Sequence, residues 1–286
     1  MRTTTQGRRL AALALLLSSV ARAALPLLEQ PSTPYDLAVS GELSGVSHGG
    51  VRYVRWSDLR SLPTTMLRMD GEFIPGGQEV TVVFLGDLWK ALPVSPAADC
   101  MLATCVDRYA SVFTSAFIGR YRPFLVLEIN GAGPDKWPPK GLDYNPGPYA
   151  IAVSDRIAPA APGYLDLSHK KPWGVSGIEF AEYSSRFADA YQGRWAALSE
   201  RAAAGREIWI NACDSCHLGP GRIFSGNQSR QAFAILSAIA RGDPALFRKY
   251  VRDPKSVIST AKMEPHPHYS DAQLDSVIAF VEAEQR

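Results

Sequence analysis

The pentad Cys213-Asp214-Ser215-Cys216-His217 brings two thiols and an imidazole together within five residues. A c-type haem is attached through two cysteine thioethers, and the histidine that follows the second cysteine ligates the iron, so order and spacing both match covalent haem attachment. Zinc is a competing chemistry, but a structural zinc site draws on a second ligand pair. His266 and His268 are the available partners, and Pro267 between them gives poor helical spacing. A thioredoxin-like CxxC belongs at a strand-to-helix turn and requires no histidine. Five residues also recur by chance. An electron-transfer haem needs a sixth ligand, and a thioether there raises the potential. Met263, in TAKMEPHPHYSD, is the only methionine after the pentad, with His266 and His268 as second choices.

These groups must be positioned by helices. From about Tyr183 the sequence turns rich in Ala, Arg and Glu and loses strand-like alternation, which puts a domain boundary near residues 184–198. Helices are predicted over 199–212, 230–240, 244–252 and 271–284. Asp243 before Pro244 reads as an N-cap followed by proline at the first helical position, with Gly242 ending the helix before it. Ser270 and Gln273 form a capping box ahead of a stripe of Leu274, Val277, Ile278 and Val281.

Residues 25–183 read differently. YDLAVSG, VRYVRW, TTMLRMD, EVTVVFLG, CMLATCV, FLVLEING, YAIAV and GVSGIEF carry β-branched and aromatic residues between Gly, Pro, Asn and Asp punctuation, the pattern of strands. Two short helices are predicted among them, DLRSL capped by Ser57 and GDLWKAL with Leu88 and Leu92 on one face. Cys100 and Cys105 are the other two cysteines. A disulfide, buried free thiols and a metal-ligand role for Cys105 all stay open. On an extended strand, however, five positions separate the Cα atoms by roughly 17 Å, against a disulfide limit of about 7 Å.

The chain has 286 residues, 46% hydrophobic and 20% charged, with a formal net charge of +2. That size suits two domains, and so slight a charge excess leaves no footprint for nucleic acid. MRTTTQGRRL, the apolar run AALALLLSSVA and a small-residue site ending at Ala23 read as a signal peptide over 1–23. The run falls short of the roughly 20 residues that span a bilayer. Export to a periplasm is expected, with no transmembrane segment.

GREIWINACDSCHLGPG, VRDPKSV and KMEPHPHYSDAQLDSVIAFV, in that order, resemble class I cytochrome c domains over 199–286. The resemblance implies an all-α domain in which Cys213 and Cys216 hold one haem c, His217 and Met263 are the axial ligands, and the Pro220 carbonyl orients the His217 imidazole. It also implies that Gly205 and Trp209 meet the stripe around Val277. VSGELSG, RWSDLRSLP, VVFLGDLWKAL, ATCVDRYASVF, FLVLEING and WGVSGIEF resemble the short sulfite oxidase type of molybdopterin-binding fold, an α+β, mostly β domain. Many relatives have Asp-Gly-Tyr where this chain has Asp107-Arg108-Tyr109, and the molybdenum-ligating cysteine would be Cys105. Molybdoenzymes of this kind are exported folded on twin-arginine signals, whereas haem c joins an unfolded chain. Arg8-Arg9 lack the fuller motif, so molybdopterin is not expected here. The combined expectation is an electron carrier between redox partner proteins, such as a periplasmic dehydrogenase or a terminal acceptor. The first domain then serves as a docking module, and residues 184–198 as a helical linker. The alternative is a molybdenum-dependent, sulfite dehydrogenase-like oxidoreductase with a fused cytochrome domain.

Overall fold

The computed structural model describes residues 24–71, 74–138, 144–154, 167–219 and 233–283. The expected signal peptide lies outside the described residues. In chain order the elements of the first part are β1 (Leu37–Gly41), β2 (Val51–Val54), α1 (Trp56–Arg60), β3 (Thr64–Gly71), β4 (Ile74–Phe84), α2 (Leu85–Ala91), β5 (Cys100–Cys105), β6 (Ala110–Thr114), α3 (Ser115–Tyr121), β7 (Phe124–Ile129), β8 (Tyr149–Ala152) and β9 (Trp173–Ala181). The strands form one mixed sheet in the order β2-β1-β9-β8-β7-β4-β3, with β5 joining β9 and β6 joining β5. β1 runs parallel to β9, and the other pairings are antiparallel.

Period-two burial explains the layering. One face of the sheet, with Leu37, Val39, Met101, Ala103, Leu125 and Ile178, packs under α1, α2 and α3 through Leu59, Leu88 and Phe117. The other face buries Val80, Val82, Phe124, Val126 and Trp137 in a second cluster. Two local expectations need correction. Ser57 does not cap α1, because the helix starts one residue earlier, with Arg55 at the N-cap and no side-chain bond there. The α3 helix, capped by Thr114 accepting from the Phe117 amide, went unforeseen, as did β6.

The second part is helical. A short α4 (Tyr183–Arg186) and two 3-10 turns lead to α5 (Glu200–Ile208), a π turn (Trp209–Cys213), α6 (Phe233–Gly242), α7 (Pro244–Arg252) and α8 (Asp271–Glu282). The local signals act where the sequence places them. Asp243 accepts from the Leu246 amide with Pro244 following, and Ser270 and Gln273 cap each other's backbone reciprocally. Leu274, Val277, Ile278 and Val281 are all buried. α5 crosses α8 at Gly205, where a β-carbon would lie 1.9 Å from the Ser276 carbonyl oxygen. Only glycine allows backbones so close. Trp195, Trp209, Phe233 and Phe280 form the aromatic centre of this lobe, with Trp209 and Phe233 5.0 Å apart edge to face.

The two parts share one apolar seam. Cys100, Leu102, Ala110 and Val112 of the β5-β6 ribbon pack against Phe187, Ala190 and Ile210, the last within the π turn. Among the described residues no helix is long and apolar enough to cross a membrane.

Candidate functional site

The pentad follows α5 directly. Ser199 caps that helix by accepting from the Ala202 amide, and the helix widens at its end, so that the Asp214 amide donates to the Trp209 carbonyl at 2.9 Å. The turn then tightens, with the amides of Cys216 and His217 donating to the Cys213 carbonyl at 3.1 and 2.8 Å. Residues three apart in such a turn project to one side. Cys213 and Cys216 are therefore neighbours, both half-buried.

Burial governs the chemistry of this turn. It pushes the Cys216 thiol up to about 11, with Asp107 and Glu264 adding to the effect. His217 is pulled down to about 4, first by burial and then by the neighbouring His266, so its imidazole is neutral at physiological pH. A neutral imidazole is the metal-binding form. The His217 Nδ1 is buried and finds no hydrogen-bond partner among the described residues. Its expected partner, the Pro220 carbonyl, lies outside them. Asp214 is buried between the two cysteines and pushed up to about 8, burial being the main cause, with Trp209 and Arg186 opposing it. The Trp209 indole N–H is directed at that carboxylate without reaching good hydrogen-bond geometry. Gly219 is wedged beside both, where a β-carbon would lie 2.6 Å from Asp214 Oδ1 and 3.1 Å from Trp209 Nε1.

The loop between α7 and α8 returns to this turn. Asp253 caps the 3-10 turn Pro254–Ser256, and Arg252 holds the far end by donating to the Tyr269 carbonyl at 2.8 Å and pairing with Asp271 at 2.5 Å. Glu264 acts on Cys216 and His266 on His217, so these two residues of the loop lie close enough to the pentad to perturb its charges. Met263 is half-buried on the wall of a cavity of about 370 Å³ that is lined within this loop, by Asp253, Lys255, Thr260 and Lys262 among others, and by none of the pentad residues. His266 is 5% exposed, stacks on Tyr269 at 5.7 Å and donates its amide to the Val251 carbonyl, while His268 is exposed. The donor types fit a haem: two thiols three apart in a turn, a neutral histidine whose buried Nδ1 has no partner among the described residues, and a thioether in the loop before α8.

Cys100 and Cys105 fall at the two ends of β5 on opposite faces of the sheet, Cys100 in the seam and Cys105 in the main core. Both are free, and the disulfide reading fails because alternation points five-apart side chains away from each other. Burial raises each thiol to about 12, with Asp99 adding to the rise at Cys100 and Asp107 at Cys105. Asp107 therefore acts on both Cys105 and Cys216, so the β5-β6 turn links the first lobe to the pentad. Arg108 takes a left-handed φ of 71°, a conformation that favours glycine, while Asp107 accepts from the Tyr109 amide. The sequence carries no sign of Asp107 or Glu264, each of which reads as an ordinary surface acid until the fold brings it near the turn, and none of the burial of Asp214 within the pentad itself.

No family model matches the chain, and no curated protein matches it. Among solved structures the chain is similar to the sulfane dehydrogenase SoxCD from Paracoccus pantotrophus, at 16% identity and a TM-score of 0.36, over 55% of this chain. It spans 42% of that chain's length. Neither site nor activity is carried over from that likeness.

Proposed function

We propose that this chain is a periplasmic mono-haem c-type cytochrome that passes single electrons between redox partner proteins. Cys213 and Cys216 would carry the haem covalently, with His217 and Met263 as its axial ligands. The observation that carries the reading is the turn itself, in which two thiols three residues apart lead directly into a buried, neutral histidine. Bound there, haem supplies a one-electron Fe(III)/Fe(II) couple. The chain's own residues do the rest. Trp209 and the α5-α8 crossing fix the base of the turn, the Asp253 and Arg252 contacts fix the facing loop, and burial keeps His217 unprotonated. The first lobe would serve as the surface that docks a redox partner.

A pyridine haemochrome spectrum of the exported protein tests this reading. Covalent haem in the parent chain and none in C213A/C216A is the expected result, and a parent chain without covalent haem ends the proposal. A second reading, a molybdenum-dependent oxidoreductase of the sulfite dehydrogenase type with a fused cytochrome, is favoured by one observation. Asp107, in the β5-β6 turn, raises both the Cys105 and the Cys216 thiol, so the candidate molybdenum ligand and the candidate haem thiol share one charged neighbour. Against it, the Cys105 thiol is packed among Met101, Ala103 and Val175, and burial raises it to about 12, which opposes a thiolate ligand. Molybdenum near one per chain would favour this second reading over the first.

A further inference from the structure

Lys170 ends a 3-10 turn (Leu167–Lys170) of the first lobe, and its side chain is 1% exposed. A buried ammonium is costly unless its hydrogens are bonded, so its partners indicate what it holds. Nζ donates to the Val112 carbonyl on β6 at 2.6 Å and to Oδ1 of Asn211 at 3.4 Å. The rings of Phe113 and Phe117 lie 5.6 and 5.7 Å away and favour the cation. Asn211 sits inside the π turn, two residues before Cys213, and its Nδ2 donates to the Glu207 carbonyl at 2.9 Å.

The π turn explains why this matters. Within it the Asp214 amide reaches back five residues to Trp209 rather than four, which inserts one extra residue and turns everything after it by about a quarter of a helical turn or more. The direction in which Cys213, Cys216 and His217 point is thus set at this bulge. π-bulges often mark functional sites, and they persist when side chains take up the carbonyls that the widened turn releases. Here Asn211 takes up Glu207, and Lys170 holds Asn211 from across the seam.

We infer that Lys170 is a positioning residue for the haem-attachment turn: through Asn211 it fixes the π turn that aims Cys213, Cys216 and His217, and its buried charge favours the reduced form of the haem. The second half of this inference rests on the function proposed above. Removing a positive charge bonded to the turn that would carry the haem favours the oxidised iron, so the sign is set by electrostatics alone. A unit charge acting over the first few shells of a protein interior shifts such an equilibrium by about tenfold.

The test uses the full haem-loaded chain. Lys170→Met should shift redox equilibrium with a reference dye about tenfold toward the oxidised form and speed amide exchange across residues 209–213, while Lys170→Arg restores the redox equilibrium. Where K170M does not fold, Asn211→Ala, which leaves the Lys170 bond to Val112 intact, should still accelerate exchange in the same segment. A folded K170M with parental redox equilibrium and parental exchange, or an N211A with parental exchange, overturns the inference. A parent chain that carries no covalent haem sinks the proposed function, and the exchange readout on the same variants then decides the positioning role by itself.

Discussion

Replacing Gly205 by alanine sets two effects of opposite sign against each other. In a helix interior the substitution alone stabilises by about 1 kcal/mol, because glycine gives up more backbone entropy on folding. At this crossing the new β-carbon would meet backbone, 1.9 Å from the Ser276 oxygen, 2.3 Å from its carbonyl carbon and 2.8 Å from the Val277 nitrogen. No side chain can swing aside to relieve that contact. α5 and α8 must part by about 1.5 Å to bring the nearest atom to an ordinary 3.4 Å. A gap of about 1 Å already forfeits up to half of each dispersion contact along the seam, and overpacking typically costs about 1–3 kcal/mol. The net expectation is a loss of up to roughly 2 kcal/mol, or up to roughly 10 °C in the melting midpoint of a lobe this small. Thermal unfolding followed by circular dichroism reads it. A G205A chain that melts at or above the parent temperature would show that the helices do not cross at this point.

Other predictions are independent of that crossing. Arg108→Gly should stabilise by roughly 0.5–1 kcal/mol, because a side chain at positive φ is strained and glycine is not; a lower denaturant midpoint for R108G would refute the turn geometry. In the haem-free chain, His217 has a folded pKa of about 4, well below its ordinary 6.5. The unfolded state therefore takes up the proton first, and the stability held above about pH 6.5 is lost as the pH falls toward 4. Denaturant curves of parent and H217Q across that window should diverge, and parallel curves would count against the buried imidazole. The thiols of Cys100 and Cys105, both raised to about 12, should resist alkylation at mildly alkaline pH until the chain unfolds, so rapid native-state labelling of either would contradict their burial.

The features legible in the sequence were those whose physics is local. The Ser270-Gln273 box, the Asp243-Pro244 start of α7 and the Leu274-to-Val281 stripe each depend on residues within two turns, and the structure forms all three. Eight strands of the first lobe were legible from their β-branched runs between turn residues. β6 was not, because ASVFT follows the tight Asp107-Arg108-Tyr109 turn at once and runs without punctuation into α3. Ser57 looked like a cap because serine commonly is one, yet the helix begins before it. What no window of sequence carries is the seam. Lys170 reaches Val112 from 58 positions away and Asn211 from 41, and Asp107 acts on Cys216 only once β5-β6 and α5 have docked. The charge environment of the pentad is accordingly tertiary, although its spacing is plain in the chain.

Haem and molybdenum content measured on one preparation of the exported protein tests the central claim most directly. One covalent haem per chain by pyridine haemochrome is expected, lost when Cys213 and Cys216 are replaced, with molybdenum far below one per chain. A protein without covalent haem, or one carrying stoichiometric molybdenum, would contradict it.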